Sequence, residues 1–159
     1  VKLSKNFSLH EMEKSSTALR LGIVNDVPNK KTIEKLRFLC MNVLQLVRER
    51  FKKPVKVNSG YRCHALNKAI GGSRTSQHRK GEAADIEIAG VSNLKVAQWI
   101  RNNLVFDQLI LEYHIDGVPE SGWVHVSYKH GKNRMQVLSK IKGEKGYRKG
   151  LCMVQNAGG

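Results

Sequence analysis

The segment Ser76-Gln77-His78-Arg79-Lys80-Gly81-Glu82-Ala83-Ala84-Asp85-Ile86 sets a histidine seven positions ahead of an aspartate, across a polar turn that leads into a strand. A second segment, Trp123-Val124-His125-Val126-Ser127, alternates. As a strand it puts Trp123, His125 and Ser127 on one face and the two valines on the other. Asp85 stands in an otherwise apolar run, where an unpaired carboxylate is costly and a cation would neutralise it. Two imidazoles and one carboxylate are a standard ligand set for catalytic zinc, with the fourth position left to water. Zinc held in this way lowers the pKa of water to about 7 and polarises a carbonyl under attack. Spacing alone leaves open, and slightly favours, a plainer set of roles. In it His78 is an exposed loop residue, Asp85 a cap or ion-pair partner, and His125 a satisfied sheet histidine.

The elements that must position these residues are readable from periodicity. Ser8-Leu9-His10-Glu11 has the capping-box pattern and opens a first helix that runs towards Gly22. Pro28 and Asn29 introduce a second, with Ile33, Leu36, Cys40, Val43, Leu44 and Val47 on its apolar stripe as far as Phe51. A short strand is expected over 55–58, then the Ser59-Gly60-Tyr61-Arg62 turn and a short helix that ends at Gly71-Gly72. Residues 73–82 read as a loop and 83–89 as a strand, with Ala84, Ile86 and Ile88 opposite Asp85 and Glu87. Ser92 caps a helix over 92–103. Strands follow over 106–113 and 123–128, with a last one over 134–138, and 139–159 form a basic, glycine-rich tail or added contact surface. Helices come early and strands late, without βαβ alternation. The fold class is therefore α+β, with a central, mostly antiparallel sheet and N-terminal helices packed on it.

The chain has 159 residues, which suits a single domain spanning 1–159, and its 40% hydrophobic content can build a core without staples. The formal charge of +15, from 28 basic and 13 acidic residues, attracts polyanions such as nucleic acids or anionic wall polymers and names no reaction. Cys40, Cys63 and Cys152 are odd in number and lack CxxC spacing, which excludes a disulfide framework and a thiolate zinc knuckle. Cys40 is expected as a buried thiol, in keeping with synthesis in a reducing compartment. No apolar run is long enough for membrane insertion, and no signal-peptide pattern is visible. Synthesis in the cytoplasm is expected, with release by a phage-type route or through a signal already removed.

The run SGYRCHALNKAIGGSRTSQHRKGEAADI, followed by FDQLILE and WVHVSY, resembles the zinc D-alanyl-D-alanine carboxypeptidase family. More narrowly it is similar to the phage and bacterial branch of peptidoglycan peptidases, a fold shared with D-Ala-D-Ala dipeptidases and the hedgehog signalling domain. The likeness extends from about Asn6 to Leu138 and includes the opening NFSLHEMEKSSTALRLGIVN. It implies one Zn2+ per chain, held by His78, Asp85 and His125. It also implies that Arg62 binds the substrate carbonyl or carboxylate, a role that suits a planar, permanently charged donor. Ser76 and Gln77, beside the first ligand, are candidates for substrate binding or for shaping the loop. Tyr61 and Trp123 are expected to pack beside the site, and His10, His64, His114 and His130 to lie on the surface or behind it.

The catalytic base is where the likeness thins. Several relatives carry an acidic residue three positions before the last histidine, and here that position is Gly122. Two bases remain, Glu112 at the end of the 106–113 strand and Glu120 in the following loop. Glu112 is preferred, because a strand fixes a side chain better than a Gly/Pro loop does. The implied activity is zinc-dependent hydrolysis of amide bonds in peptidoglycan stem or cross-link peptides by a monomer, with carboxypeptidase and endopeptidase action, possible as a phage endolysin, left undivided. Its rivals are a zinc-containing wall-binding module without catalysis and, further off, a basic nucleic-acid-binding protein.

Overall fold

The computed structural model describes residues 1–155. It opens on a two-stranded ribbon, β1 (Lys2–Ser4) and β2 (Phe7–Ser8), whose Leu3 and Phe7 are buried. The Ser8 side chain then accepts from the Glu11 N–H while the Glu11 carboxylate accepts from the Ser8 N–H, the reciprocal capping box of α1 (Leu9–Glu13). The single helix expected as far as Gly22 is two. α1 stops at Lys14, where the backbone turns extended, and the Ser15 hydroxyl accepts from the Ala18 N–H to start α2 (Ser16–Leu21). A serine that can satisfy a free helix N–H starts a new helix as readily as it continues an old one. Gly22 ends α2 in the left-handed conformation, at φ 68°.

Asn29 caps α3 (Lys30–Leu39), which passes through a wider π turn at Cys40–Leu44 into α4 (Gln45–Phe51). The Asn42 amide donates to the Phe38 carbonyl within that turn. Leu36, Cys40, Val43, Leu44 and Val47 are fully buried, as the period requires, and Ile33 packs half-buried against them. Burial pushes the Cys40 thiol up to about 12, so it is an inert core residue.

The main sheet runs in the order β3 (Lys56–Ser59), β4 (Ala83–Glu87), β6 (Trp123–Ser127), β5 (Gln108–Glu112), β7 (Gln136–Lys140), β8 (Arg148–Lys149). Every neighbouring pair is antiparallel except β5 and β7, which run parallel. α5 (His64–Ala69) and α6 (Asn93–Asn103) fill the connections after β3 and β4. Ala84, Ile86, Leu109, Leu111, Val124 and Val126 form one sheet face, buried in a common core with residues of α1, α3, α4 and α6. Alternation sends Asp85, Ile110 and His125 to the other face. The architecture is α+β, as expected.

Two expectations need correction. Residues 73–82 are not all loop, since Gln77–Lys80 form a 3-10 turn. The described part of the segment after Leu138, residues 139–155, is not a loose tail either, and the last four residues of that expectation lie outside the described residues. β7 continues to Lys140, Ser139 and Ile141 are buried, and the Ser139 hydroxyl donates to the Gly150 carbonyl at 2.7 Å. β8 then closes the edge with two exposed cations, Arg148 and Lys149, which discourage further strand pairing. No helix among the described residues is long and apolar enough to cross a membrane.

Candidate metal centre

Strand register makes the first contact of the site. β4 and β6 pair so that Asp85 lies directly opposite His125, and His125 Nδ1 is 3.0 Å from Asp85 Oδ1. His78 arrives from the 3-10 turn, where the Ser76 hydroxyl accepts from its backbone N–H, and its Nε2 is 3.4 Å from Asp85 Oδ2. One donor atom from each of the three residues lies within 4.8 Å of the other two, and all three side chains are buried. Donors around a tetrahedral zinc with bonds of about 2.0–2.1 Å are roughly 3.3 Å apart, so this spacing fits the ion.

The chemistry of the donor set fits as well. His78 Nδ1 is 2.8 Å from the Gly60 carbonyl oxygen. A carbonyl only accepts, so Nδ1 carries a hydrogen and Nε2 is the nitrogen turned towards Asp85, the one left to bind a metal. Burial pushes the His78 imidazole below its ordinary range, against the pull of Asp85. Burial opposes ionisation of Asp85, but the His78 and His125 rings around it prevail and hold its carboxyl well below the usual range. The Gly60 carbonyl is itself fixed by close packing. A Cβ at Gly60 would stand 2.6 Å from the Met12 carbonyl of α1, the same carbonyl that accepts from the Tyr61 N–H.

Arg62 meets Asp85 from the β3 side. Its Nη2 is 3.2 Å from Asp85 Oδ2 and its Nε donates to Ser59 Oγ at 2.9 Å. Nη1 makes no hydrogen bond among the described residues. The centre opens onto a cleft of about 700 Å³, lined by Arg62, His78 and His125 together with Gln108, Ile110 and Tyr147. Ser76 and Gln77 also line it, but both are engaged in holding the turn. Ser76 caps it, and the Gln77 amide donates to Asp107 Oδ2 at 3.0 Å. Asp107 is fully buried and is gripped through both oxygens by Arg134.

The two candidate bases separate. Glu112 shares the open face of β5 with Gln108 and Ile110 and interacts electrostatically with Asp85, His125 and Arg62. Burial, reinforced by the Asp85 charge, raises its carboxyl to about 7, while His125, Arg62 and the nearby Trp123 indole N–H pull it down. That N–H faces Glu112 without reaching hydrogen-bond geometry. Glu120 is exposed, and its carboxylate accepts from the Gly90 N–H at 2.8 Å, beyond the far end of β4. The structure does not gather it with the three ligands.

Gly122 explains the missing acidic residue before His125. Its φ is +68°, and a Cβ there would stand 1.9 Å from the Glu112 carbonyl oxygen. No side chain fits, and the position presses on the backbone of Glu112 itself. Replacing Gly122 with Ala is therefore expected to cost several kcal/mol, through left-handed strain and backbone displacement together. Chemical denaturation checks this, and an unchanged midpoint would contradict it.

Of the other histidines, His130 is exposed, as expected, and stacks on Phe38, while His114 lies behind the surface, buried with Nδ1 3.0 Å from the Ser121 carbonyl. One residue took a place not foreseen. Tyr147, from the segment expected to be a tail, lines the cleft, and its phenol is raised by burial and by Glu112 and Tyr113. The only sequence signal for it was an aromatic residue within a run of lysine and glycine.

Compared with known proteins, residues 5–127, more than half of the chain, match the family model described as Peptidase M15. No curated protein matches the chain.

Proposed function

The chain belongs to the peptidase M15 family, and on that premise we propose that it is a zinc-dependent peptidase that hydrolyses amide bonds in the stem or cross-link peptides of peptidoglycan. The observation that carries this reading is the buried His78, Asp85 and His125 donor set opening into a cleft beside Arg62 and Glu112. Zinc held by the three side chains supplies a Lewis acid that polarises the scissile carbonyl and makes water acidic.

The chain's own residues do the rest. Arg62, steadied by Ser59 and Asp85, has Nη1 available to donate to the substrate carbonyl oxygen. That bond strengthens as negative charge grows on the oxygen. Glu112, with its carboxyl raised towards neutrality, accepts a proton from the attacking water and passes it to the departing amine nitrogen. The Gly60 carbonyl keeps the His78 ring in one tautomer and orientation. The reaction is a D-alanyl-D-alanine carboxypeptidase-like or endopeptidase cut made at the bacterial cell wall, with an endolysin of phage type as one form of such an enzyme. The net charge of +15 supports retention on anionic wall polymers.

Digestion of purified peptidoglycan, followed by mass spectrometry of the fragments with and without a chelator, tests this. New amine and carboxyl ends that vanish on chelation and return with zinc are expected. Bound zinc with no fragments released at high protein concentration would replace the enzyme by a wall-binding module.

A further inference from the structure

The cations of the cleft fall into two kinds. Arg62, Lys80, Lys129 and Arg134 line it, and no aspartate or glutamate does. Arg62 is paired with Asp85, and Arg134 with the fully buried Asp107, so both arginines are neutralised from beneath. Lys80 and Lys129 make no ion pair among the described residues. Lys80 ends the 3-10 turn that carries His78, and Lys129 follows β6, which carries His125. Their backbones thus leave the two histidines in chain neighbourhoods that converge on the same cleft. Lys129 is four residues beyond His125 and two beyond the end of β6, so the reach of an extended chain puts this end of the cleft at most roughly 13 Å from the metal centre. An extended peptide covers that distance in about four residues.

We propose that Lys80 and Lys129 form a carboxylate subsite, which makes the enzyme selective for peptides that carry a free acidic group three to four residues from the bond that is cut. This rests on the peptidase reading above and specifies its substrate class. Away from Asp85 and Glu112, the cleft has two unpaired ammonium groups and no carboxylate among its lining residues, which disfavours cationic peptides and favours anionic ones. An ammonium group suits such a subsite, since it accepts a carboxylate from several directions without demanding one planar approach.

The test uses pairs of synthetic stem peptides that differ only in a side carboxylate against the matching carboxamide, placed one to four residues from the cut bond. The acid is expected to have about tenfold higher kcat/KM than the amide when the group lies three to four residues away, as two partly exposed ion pairs allow. The ratio should shrink as salt is raised. In the Lys80→Ala, Lys129→Ala double variant it should fall to about one, and Lys80→Arg with Lys129→Arg should restore it. Equal rates for acid and amide in the wild-type chain, or an unchanged ratio in the alanine variant, would overturn the proposal while leaving the peptidase reading intact. If no peptide is cut, equilibrium binding of the same pairs to zinc-loaded protein decides. Acid preference lost in the alanine variant upholds the subsite, and equal affinity refutes it.

Discussion

Changing Glu112 to Gln is expected to reduce kcat by about 10²- to 10⁴-fold while zinc content stays at that of the wild-type chain. The substitution keeps the size of the side chain and removes only its ability to take a proton. Glu112 is not one of the three donors, so the metal centre should survive. Metal analysis and turnover measured on the same sample separate the two effects, and full activity would exclude Glu112 as the base. A second readout needs no substrate. In the metal-free chain the carboxyl titrates at about 7 instead of 4.5. A raised value means that its contribution to stability is fully present below about 4.5 and is lost as pH rises through 7. The difference of about 2.5 corresponds to at most about 3 kcal/mol. Chelator-treated Glu112→Gln should therefore be more stable than wild type at pH 8 and equal to it at pH 4. Denaturation at both values checks the sign, and no gain at pH 8 would show that Glu112 is solvated.

Asp85→Asn should be more damaging still. Asp85 faces both ligand imidazoles and Arg62 from a buried strand position. Asparagine keeps the shape but leaves the half-buried Arg62 cation without its partner and the metal without its only anionic donor. Breaking a buried ion pair in this way costs about 3–5 kcal/mol. Zinc affinity should fall by about 10³-fold, the equivalent of about 4 kcal/mol, and hydrolysis should disappear with it. The depressed carboxyl of Asp85 stabilises the fold above the ordinary carboxylate range, and that contribution is lost only as pH falls below it. The difference in stability between wild type and Asp85→Asn should accordingly be fully present at pH 7 and narrow in strong acid. Titration of zinc by calorimetry and unfolding at the two pH values measure both parts, and wild-type zinc affinity in the variant would remove Asp85 from the ligand set.

Much of this molecule was legible because local physics governs local structure. The capping box at Ser8, the stripe from Leu36 to Val47 and the alternation at Ala84 and Ile86 all act over a few residues, and all reappear in the structure. The break at Ser15 was missed because a hydroxyl inside a helical pattern can face solvent or cap a new helix, and only surrounding contacts decide which. The last strand, expected over 134–138, runs instead over Gln136–Lys140, because the lysines and glycines that follow Leu138 have weak strand preference and hid its far end. Its pairing to β5 and the burial of Ser139 and Ile141 come from packing, not propensity.

The residue types and spacing of His78, Asp85 and His125 made a metal ligand set plausible without fixing it, because a sequence states which side chains exist and not where they meet. The tertiary structure made it a site. Register across β4 and β6 put Asp85 opposite His125, 40 residues away in the chain, and the Gly60 carbonyl turned the His78 ring towards them. The same long-range pairing set Glu112 on the open face of the sheet and left Glu120 bound to Gly90. Composition and periodicity determined the elements that are held by forces within a turn or a strand, such as the capped α1 and the apolar stripe of α3 and α4. The shared centre depends on hydrogen-bond register and close backbone approach between distant segments, and only the folded chain brings these about.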